Sequence, residues 1–530
     1  MRPIPRALTA VAGLSLLAGA LGPVAAADPA PPDAPVTLPA TVPSLTSWEA
    51  ASGTWSMTSA TRVVGSEDLA RTRDLLASEL RAVTGEAVPT APQDPDAGDI
   101  SLSLDPDRLA ELGVEGYELR VSADGIAVTG ADARGVFYGT RTVGQMLRQQ
   151  RVLPAGSAVD VPRYAERGVT ACACQINIQG DWIDRLLTDM ADLKLNHLLL
   201  EMKLKSDRHP EANTWSYYTR ADVSRLVSRA RDLGIDVIPE INSPGHMGIW
   251  LENLPEYQLV DRDGRRHPEM LDLSNPRAVQ YYLDLVDEYD GVFTTRYWHM
   301  GADEYMIGTS PANFPALARW AEQTYGAGAT VNDAFIAFVN QVNAHVKARG
   351  KSLRMWNDGV VPTNVVSLDR DITVEFWYAS GVRADVLAGR GYRVMNASDA
   401  LYWSRSATFY KMDSERLWNS DWDVGRFPGA GIDPGNPMVT GAKLSIWPDD
   451  SVYQTENEVE EEVFDSLRFV SQMTWTASHG GMDWAQFKGS VDAVGRNPLW
   501  DNVARRPVEA GTYTLTATGS DAVLGAGAEG

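Results

Sequence analysis

The sequence predicts an α/β protein in which a (β/α)8 barrel follows a small α+β domain. Two observations support the barrel. Eight short β-rich runs alternate with helical patterns after Arg163, and polar and aromatic residues gather where those runs end. The active sites of (β/α)8 barrels lie at the carboxyl ends of the strands. A third observation is length, because 530 residues are enough for such a barrel and one further domain.

The chain is acidic, with 47 Lys and Arg residues against 70 Asp and Glu residues and a formal net charge of −23. This charge is spread along the chain, so it repels phosphate backbones and anionic lipid surfaces. We therefore expect neither a nucleic-acid partner nor a membrane partner. The apolar and charged fractions are otherwise those of an ordinary globular protein.

The first residues have the pattern of a secretory signal peptide over residues 1–27. Arg2 and Arg6 precede an apolar run over residues 7–21, and three alanines supply a small-residue cleavage site before Asp28. An uncleaved anchor helix is the alternative, but the run is shorter than the ~20 residues that cross a bilayer. The sequence therefore predicts a secreted, extracellular protein.

Residues 28–47 are rich in Pro and Ala and predict a disordered leader, with order beginning near Trp48. Residues 48–160 predict the small α+β domain. Its predicted strands are residues 60–64, 99–104, 117–121 and 125–129, and its predicted helices are residues 67–83 and 134–149. The turn Ala123-Asp124-Gly125 predicts a hairpin between the last two strands.

Residues 161–500 predict the barrel. Its eight strands are expected at residues 169–178, 197–204, 236–241, 296–301, 352–356, 372–377, 392–396 and 443–447. Helices are expected at residues 182–193, 220–233, 276–289, 332–349 and 459–474. In the last segment, residues 501–530, Tyr513, Leu515 and Ala517 alternate with threonines, which predicts a β-like or disordered tail.

Chemically useful side chains follow most of the predicted strands. They are Gln175, Glu201, Glu240, His246, Asp303, Glu304, Trp356, Asp358, Trp377, Asn396, Tyr402, Trp447 and Asp449. The aromatic members favour a carbohydrate ligand, because aromatic faces pack against the apolar faces of pyranose rings.

The segment from His299 to Glu304, after the fourth strand, holds the strongest motif. Adjacent residues of a strand face opposite ways, so Asp303 and Glu304 serve one site only if the pleat ends there. Burial beside a second carboxylate is expected to raise the pKa of one member, as a general acid requires. A solvated acidic turn is the alternative interpretation, and the aromatic residues at neighbouring strand ends weigh against it.

The two cysteines, Cys172 and Cys174, share one face of the first barrel strand. Two cysteines so close together give no framework of long-range disulfides. We expect packed thiols here, rather than a metal or redox site, because no further ligands can be named.

Two spaced motifs resemble family 20 of the glycoside hydrolases, the β-N-acetylhexosaminidases. The first is His299-Met300-Gly301-Ala302-Asp303-Glu304, and the second is Pro239-Glu240-Ile241-Asn242-Ser243-Pro244-Gly245-His246. Further matches are Arg167-Gly168, Trp356-Asn357-Asp358, Tyr402 and Trp447. The resemblance extends over roughly residues 50–490, including the small domain before the barrel.

The resemblance implies hydrolysis with retention, in which the substrate's own 2-acetamido oxygen attacks the anomeric carbon. It implies that Glu304 is the general acid and base, that Asp303 holds the acetamido N–H, and that Tyr402 orients the acetamido oxygen. It implies that Trp356, Trp377 and Trp447 wall the sugar and acetamido pockets and that His246 couples to the acid through hydrogen bonds. His246, His299 and Asp449 are counted with these tryptophans as substrate-binding residues, and Asp449 is expected to accept from a sugar hydroxyl. Neither a metal nor a cofactor is expected, and the partner is a carbohydrate.

Several positions depart from the family pattern. The second arginine of the first strand is replaced by Gln175, the family's His-x-x-Asp is replaced by residues 201–204, and Trp-x-Glu becomes Trp447-Pro448-Asp449. The sequence therefore predicts removal of terminal β-linked N-acetylhexosamine, from chitin oligosaccharides or glycans. Two alternatives stay open. One is a glycosidase of the same fold that releases a disaccharide or recognises a modified amino sugar. The other is a non-catalytic carbohydrate-binding protein, although binding alone does not need an acid.

Overall fold

A computed structural model describes residues 36–174, 178–214, 217–306, 308–404, 411–448, 455–500 and 503. The predicted signal peptide, Gln175, Asp449 and the predicted tail, apart from Val503, lie outside the described residues. Within the described part of the chain, no helix is both long enough and apolar enough to cross a membrane.

The small domain is a mixed sheet covered by helices. Its strands are β1 (Glu49–Ser56), β2 (Val63–Gly65), β3 (Thr90–Ala91), β4 (Asp99–Leu104), β5 (Tyr117–Ser122), β6 (Gly125–Gly130) and β7 (Val152–Asp160). Its helices are α1 (Ala70–Thr84), α2 (Leu109–Leu112) and α3 (Ala133–Leu147). The strand order is β1-β7-β5-β6-β4-β2-β3, and the predicted hairpin is the antiparallel pair β5 and β6.

Three strands of this sheet were not predicted, namely the two-residue strand β3 and the longer strands β1 and β7. Strand β1 lies at the sheet edge, and Trp55 is its one buried residue, so the strand has no alternating pattern to recognise. Strand β7 contains Pro154 and Gly156, which lower the strand propensity of a sequence. Strand β1 pairs with β7, and β7 also pairs with β5, so both strands depend on partners that are distant in the sequence.

The prediction that order begins near Trp48 is wrong. Val42 is fully buried, and its backbone N–H donates to Gln145 Oε1 at 2.7 Å. The N–H of Ser44 donates to Gln472 Oε1 at 2.8 Å. This segment has no helical or strand period, so its order was not predictable from the sequence. Its contacts with distant side chains hold it in place.

The second domain contains the remaining strands. They are β8 (Glu166–Ala173), β9 (His197–Met202), β10 (Asp236–Ser243), β11 (Gln258–Val260), β12 (Arg266–Leu271), β13 (Tyr297–Gly301), β14 (Ser352–Trp356), β15 (Thr373–Phe376), β16 (Arg393–Asn396), β17 (Tyr402–Ser404), β18 (Arg426–Phe427), β19 (Ala430–Gly431) and β20 (Val439–Trp447).

Its helices lie mostly between these strands. They are α4 (Gly180–Asp192), α5 (Arg220–Asp232), α6 (Gly248–Leu251), α7 (Pro276–Asp290), α8 (Pro315–Tyr325), α9 (Val331–Lys347), α10 (Ala384–Gly389), α11 (Ser414–Asn419), α12 (Glu456–Glu462), α13 (Phe464–Trp475) and α14 (Trp484–Val494).

Eight parallel strands close into a barrel, as predicted. Strands β8, β9, β10, β13, β14, β15, β16 and β20 follow one another around the sheet, and β16 pairs with β20 to close it. These are the eight strands expected from the sequence, with ends shifted by a few residues. Since all eight run the same way, their carboxyl ends open onto one rim, where the chemistry of this fold is found.

The interior of this barrel is more polar than usual for the fold, which is typically filled by branched apolar residues. Glu240, His299, Arg354, Glu375 and Lys443 are fully or almost fully buried. Arg354 pairs with Glu166 at 2.8 Å and with Glu375 at 2.5 Å, and Lys443 also pairs with Glu375. Opposite charges therefore compensate one another inside the barrel.

Candidate active site

The acidic motif forms a tight turn at the end of β13. Gly301, Ala302 and Glu304 have φ values of 70°, 69° and 53°, in the left-handed region that side chains rarely adopt. The alternation of the strand stops there. The pleat thus ends where the sequence required it to end, and Asp303 and Glu304 both approach His246.

The loop after β10 brings His246 to these carboxylates. His246 Nε2 lies 3.0 Å from Glu304 Oε2 and 3.5 Å from Asp303 Oδ2. Gly245 packs against the acidic turn, and a Cβ atom at this position would lie 2.8 Å from the carbonyl oxygen of Asp303. The Pro-Gly-His sequence is therefore explained by a close approach of two loops.

Asn242, in the same motif, positions Asp303. Its Nδ2 donates a hydrogen bond to Asp303 Oδ1 at 2.8 Å, and a side chain at Gly301 would collide with it. We did not identify Asn242 from the sequence. Its place between Glu240 and His246 in the second motif was the available signal.

Burial raises the pKa of Asp303 to about 7, with help from the carboxylates of Asp358 and Glu240 and against the opposing effect of His246. Burial alone would lower the pKa of His246. The surrounding carboxylates of Asp303, Glu304 and Glu201 outweigh it and raise that pKa to about 10. His246 is therefore an imidazolium at neutral pH, and Asp303 titrates close to neutrality.

Aromatic side chains stand beside the acidic turn. The rings of Trp377 and Tyr402 are parallel, with centroids 6.4 Å apart. Trp447 meets Tyr402 and Trp356 edge to face, at 5.8 Å in each case. Burial keeps the pKa of Tyr402 well above its usual value, so its hydroxyl stays a neutral donor. The structure thus brings together Tyr402 and all three tryptophans predicted for this site.

His299 was predicted to bind substrate, and its position contradicts that prediction. Its side chain has no exposed surface, and its ring lies against Trp356 with the centroids 4.7 Å apart. Nδ1 of His299 and the indole Nε1 of Trp356 contact the same oxygen of Glu240, at 3.2 and 2.9 Å. Since strand residues alternate, His299 points into the barrel below Trp356.

Lys443 and Glu375 belong to the same buried support and were not identified from the sequence. Lys443 Nζ lies 4.7 Å from the centre of the Trp356 ring, and Glu375 pairs with Lys443 and Arg354. Charged residues inside a predicted barrel strand were the available signal. The floor of the site is therefore held by compensated charges rather than by apolar packing.

The cysteines form a disulfide, which corrects the prediction of packed thiols. The Cα atoms of Cys172 and Cys174 are 5.2 Å apart, shorter than the roughly 6.6 Å across two residues of a regular strand. Strand β8 ends at Ala173, and the backbone bends enough for the two side chains to meet. Cys172 Sγ lies 3.3 Å from Glu201 Oε2, so the disulfide borders the side chain that follows in β9.

Among the described residues, two groups have the spacing of a metal site. One contains the disulfide-bonded Cys172 and Cys174, and the other lies near the rim. The ligand atoms of His246, Asp303 and Glu304 lie within 4.8 Å of one another. The raised pKa of His246 keeps its ring protonated at neutral pH, and a protonated imidazole nitrogen cannot ligate a cation. A cation would therefore have to displace the His246 proton in order to bind here.

The barrel, the paired carboxylates and the aromatic wall together define a carbohydrate-active class of protein. Residues 164–478 match Glycosyl hydrolase family 20, catalytic domain, and residues 38–161 match Glycosyl hydrolase family 20, domain 2. The chain belongs to glycosyl hydrolase family 20.

Relatives support this assignment. The chain is 55% identical over 488 residues to a lacto-N-biosidase of Bifidobacterium bifidum, an alignment that covers 91% of this chain and 44% of the relative. It is 27% identical over 323 residues to beta-hexosaminidase subunit A2 of Dictyostelium discoideum, which covers 57% and 58% of the two chains. The chain thus spans about half the length of these relatives.

Solved structures share the fold. The N-acetyl-beta-hexosaminidase of Streptomyces plicatus, in complex with Thio-NAglucal, superposes with a TM-score of 0.69 at 21% identity, covering 87% of this chain and 95% of that one. The beta-N-acetylhexosaminidase of Streptomyces coelicolor gives a TM-score of 0.70 at 21% identity, covering 89% and 98%.

Proposed function

We propose that this protein is a retaining glycoside hydrolase that cleaves the bond on the reducing side of a β-linked N-acetylhexosamine. The observation that carries the proposal is the contact of His246 with Glu304 and Asp303 at the rim beside Tyr402. This contact supports the proposal because the mechanism needs two carboxylates, and the neutral hydroxyl of Tyr402 belongs to the aromatic wall beside them.

In the first step the substrate's acetamido oxygen bonds to the anomeric carbon while the glycosidic C–O bond breaks. Glu304 gives its proton to the departing oxygen. The product is an oxazolinium ion, whose positive charge is shared with the acetamido N–H. Asp303 accepts a hydrogen bond from that N–H. Tyr402 donates a hydrogen bond to the acetamido oxygen and orients it toward the anomeric carbon.

In the second step Glu304, now a carboxylate, removes a proton from water. The water oxygen attacks the anomeric carbon from the side the leaving group vacated, and the oxazolinium ring opens to restore the acetamido group. Each step inverts the configuration of the anomeric carbon, so the original configuration is retained overall. Trp356, Trp377 and Trp447 wall the sugar and exclude water from the oxazolinium ion, and Asp449 accepts from a sugar hydroxyl.

The released unit that we favour is a disaccharide in which the N-acetylhexosamine carries one further sugar. This choice rests on the 55% identity to a protein named lacto-N-biosidase, a name that denotes release of a disaccharide. It also rests on the departures from the family pattern in the first two strands, where Gln175 replaces an arginine. Removal of N-acetylhexosamine alone is the competing outcome.

We further propose that the protein is secreted. The signal-peptide pattern of residues 1–27 supports export. The Cys172–Cys174 disulfide supports an oxidising compartment, because disulfides persist outside the cytosol.

Hydrolysis of two aryl glycosides tests the proposal. We expect p-nitrophenyl β-lacto-N-bioside to be cleaved with release of the intact disaccharide, and the Glu304→Gln variant to be far slower on disaccharide glycosides with poor leaving groups. Faster cleavage of p-nitrophenyl β-N-acetylglucosaminide would favour release of the single sugar. No hydrolysis of either compound by folded protein would contradict the proposed activity.

A further inference from the structure

The carboxylate of Asp358 joins two parts of the site that the proposed mechanism uses separately. Its Oδ2 accepts a hydrogen bond from the backbone N–H of Glu304 at 2.8 Å. Its Oδ1 accepts one from the indole Nε1 of Trp377, also at 2.8 Å. Both oxygens of one side chain are thus engaged, one by the acid's backbone and one by the aromatic wall.

We propose that Asp358 is a positioning residue that sets the acid Glu304 at a defined distance from the Trp377 face of the sugar pocket. The inference rests on the proposed function, because it gives Asp358 its role through the acid assigned there. Asp358 acts through Glu304 and Trp377, so it needs no contact with substrate.

The acidic turn needs such an anchor. Glu304 itself lies at φ 53° and Ala302 at φ 69°, and a left-handed backbone is unfavourable for a residue that carries a side chain. This backbone conformation sets the direction of the Glu304 carboxyl group. A bond to the Glu304 N–H from another strand end therefore selects the conformation that points the acid toward His246.

Asp358 is itself held by its neighbours at the end of β14. Asn357, fully buried, accepts from the backbone N–H of Trp377 at 2.9 Å and donates to the carbonyl oxygens of Tyr378 and Ser380. A Cβ atom at Gly359 would collide with the carbonyl oxygen of Ala302. This loop is packed between the acidic turn and the wall, so a shift in one is transmitted to the other.

An acidic residue at this position is electrostatically costly. The ionisable side chains around it include Asp303 and Glu304, both acidic, and His246 is the cation of the cluster. A neutral asparagine would avoid the repulsion between carboxylates. It has only one oxygen, however, and cannot accept both N–H groups in the same geometry. The two simultaneous hydrogen bonds are what the carboxylate provides.

The test compares Asp358→Asn with wild type on disaccharide glycosides that differ only in the acidity of the leaving alcohol. A misplaced acid slows the poor leaving groups, which need protonation, more than the good ones, which do not. We expect kcat to fall about 10- to 100-fold on the poorest leaving group and only about threefold on the p-nitrophenyl compound. KM is expected to change little.

The Asp333→Asn variant is the matched control. The Asp333 carboxylate is buried and, like that of Asp358, accepts backbone N–H groups. These are the N–H groups of Val365 and Val366, at 2.7 and 2.8 Å, but Asp333 lies at the start of α9. It is expected to lower thermal stability while leaving the dependence on leaving group unchanged. An Asp358→Asn variant that behaves in the same way would overturn the inference.

Two further variants keep the result unambiguous. If Asp358→Asn does not fold, Asp358→Glu keeps the charge but displaces both oxygens by one methylene, and it must show the same steeper dependence. Glu304→Gln serves as the reference. If it shows no selective loss on poor leaving groups, the acid assignment fails. If Glu304→Gln shows the selective loss and the Asp358 variants do not, only the positioning role of Asp358 fails.

Discussion

His246 Nε2 lies 3.0 Å from Glu304 Oε2. The histidine side chain is 40% exposed and the glutamate 26%, so the contact is at the mouth of the site and open to protons. Asp303 is close enough to feel the same imidazolium, at 3.5 Å. The charge of His246 therefore acts on Asp303, whose pKa it lowers.

Replacing His246 with Gln is expected to move the pH dependence of kcat/KM toward higher pH. The histidine cation lowers the pKa of Asp303, which is about 7 with the histidine present. Removing that cation raises the pKa of Asp303, so as the pH falls the carboxylate becomes protonated at a higher pH than in wild type. The acid limb of the profile therefore moves up by about one pH unit. A pH profile on the p-nitrophenyl disaccharide measures this. A limb that stays in place, or moves down, contradicts the proposed coupling. His267→Gln, in the hairpin β11–β12, is the control.

The Glu304→Gln variant is expected to hydrolyse substrates with poor leaving groups about 10²- to 10⁴-fold more slowly than wild type. The first step is expected to slow much less on activated aryl glycosides. The amide has nearly the same shape but no proton to give. Steady-state kinetics on a series of leaving groups measures the difference. Equal losses across the series would argue against an acid role. Glu322→Gln, on an exposed part of α8, should match wild type.

Lys443→Met is expected to lower the free energy of unfolding by about 3 kcal/mol, because breaking a buried ion pair leaves a charge without its partner. Glu375 and Lys443 are both fully or almost fully buried. Urea denaturation followed by tryptophan fluorescence measures the change. Lys488→Met is the control, since its pairs with Asp465 and Asp492 are at the surface and are worth about 0–1 kcal/mol. Similar losses in the two variants would show that the barrel charges are not structurally important.

The main features of the fold were predictable because their signals are local. Each of the eight barrel strands is a short β-rich run, and the alternation with helical patterns is enough to indicate a (β/α)8 barrel. Strands β1 and β7 escaped prediction because one is an exposed edge and the other is interrupted by Pro154 and Gly156. Their pairing, across about a hundred residues of chain, has no local pattern.

The site was predictable only in part, for a related reason. The pair Asp303 and Glu304 is recognisable because its members are adjacent, and His246 because it ends a contiguous motif. His299 is in the same motif as the acid, yet alternation along β13 directs it into the barrel. The cysteines form a bond because β8 ends between them and the backbone bends, and residue type alone does not reveal such a bend.

The amino-acid sequence alone was thus sufficient to predict the barrel, the acidic pair and the family. Periodicity and contiguous motifs are properties of short segments. Folding in three dimensions established which groups hold those residues in place. Asn242 meets Asp303 across 61 positions of sequence, and Asp358 meets Glu304 across 54. The closed barrel brings the carboxyl ends of all eight strands to one rim, so residues far apart in the chain become hydrogen-bonded neighbours.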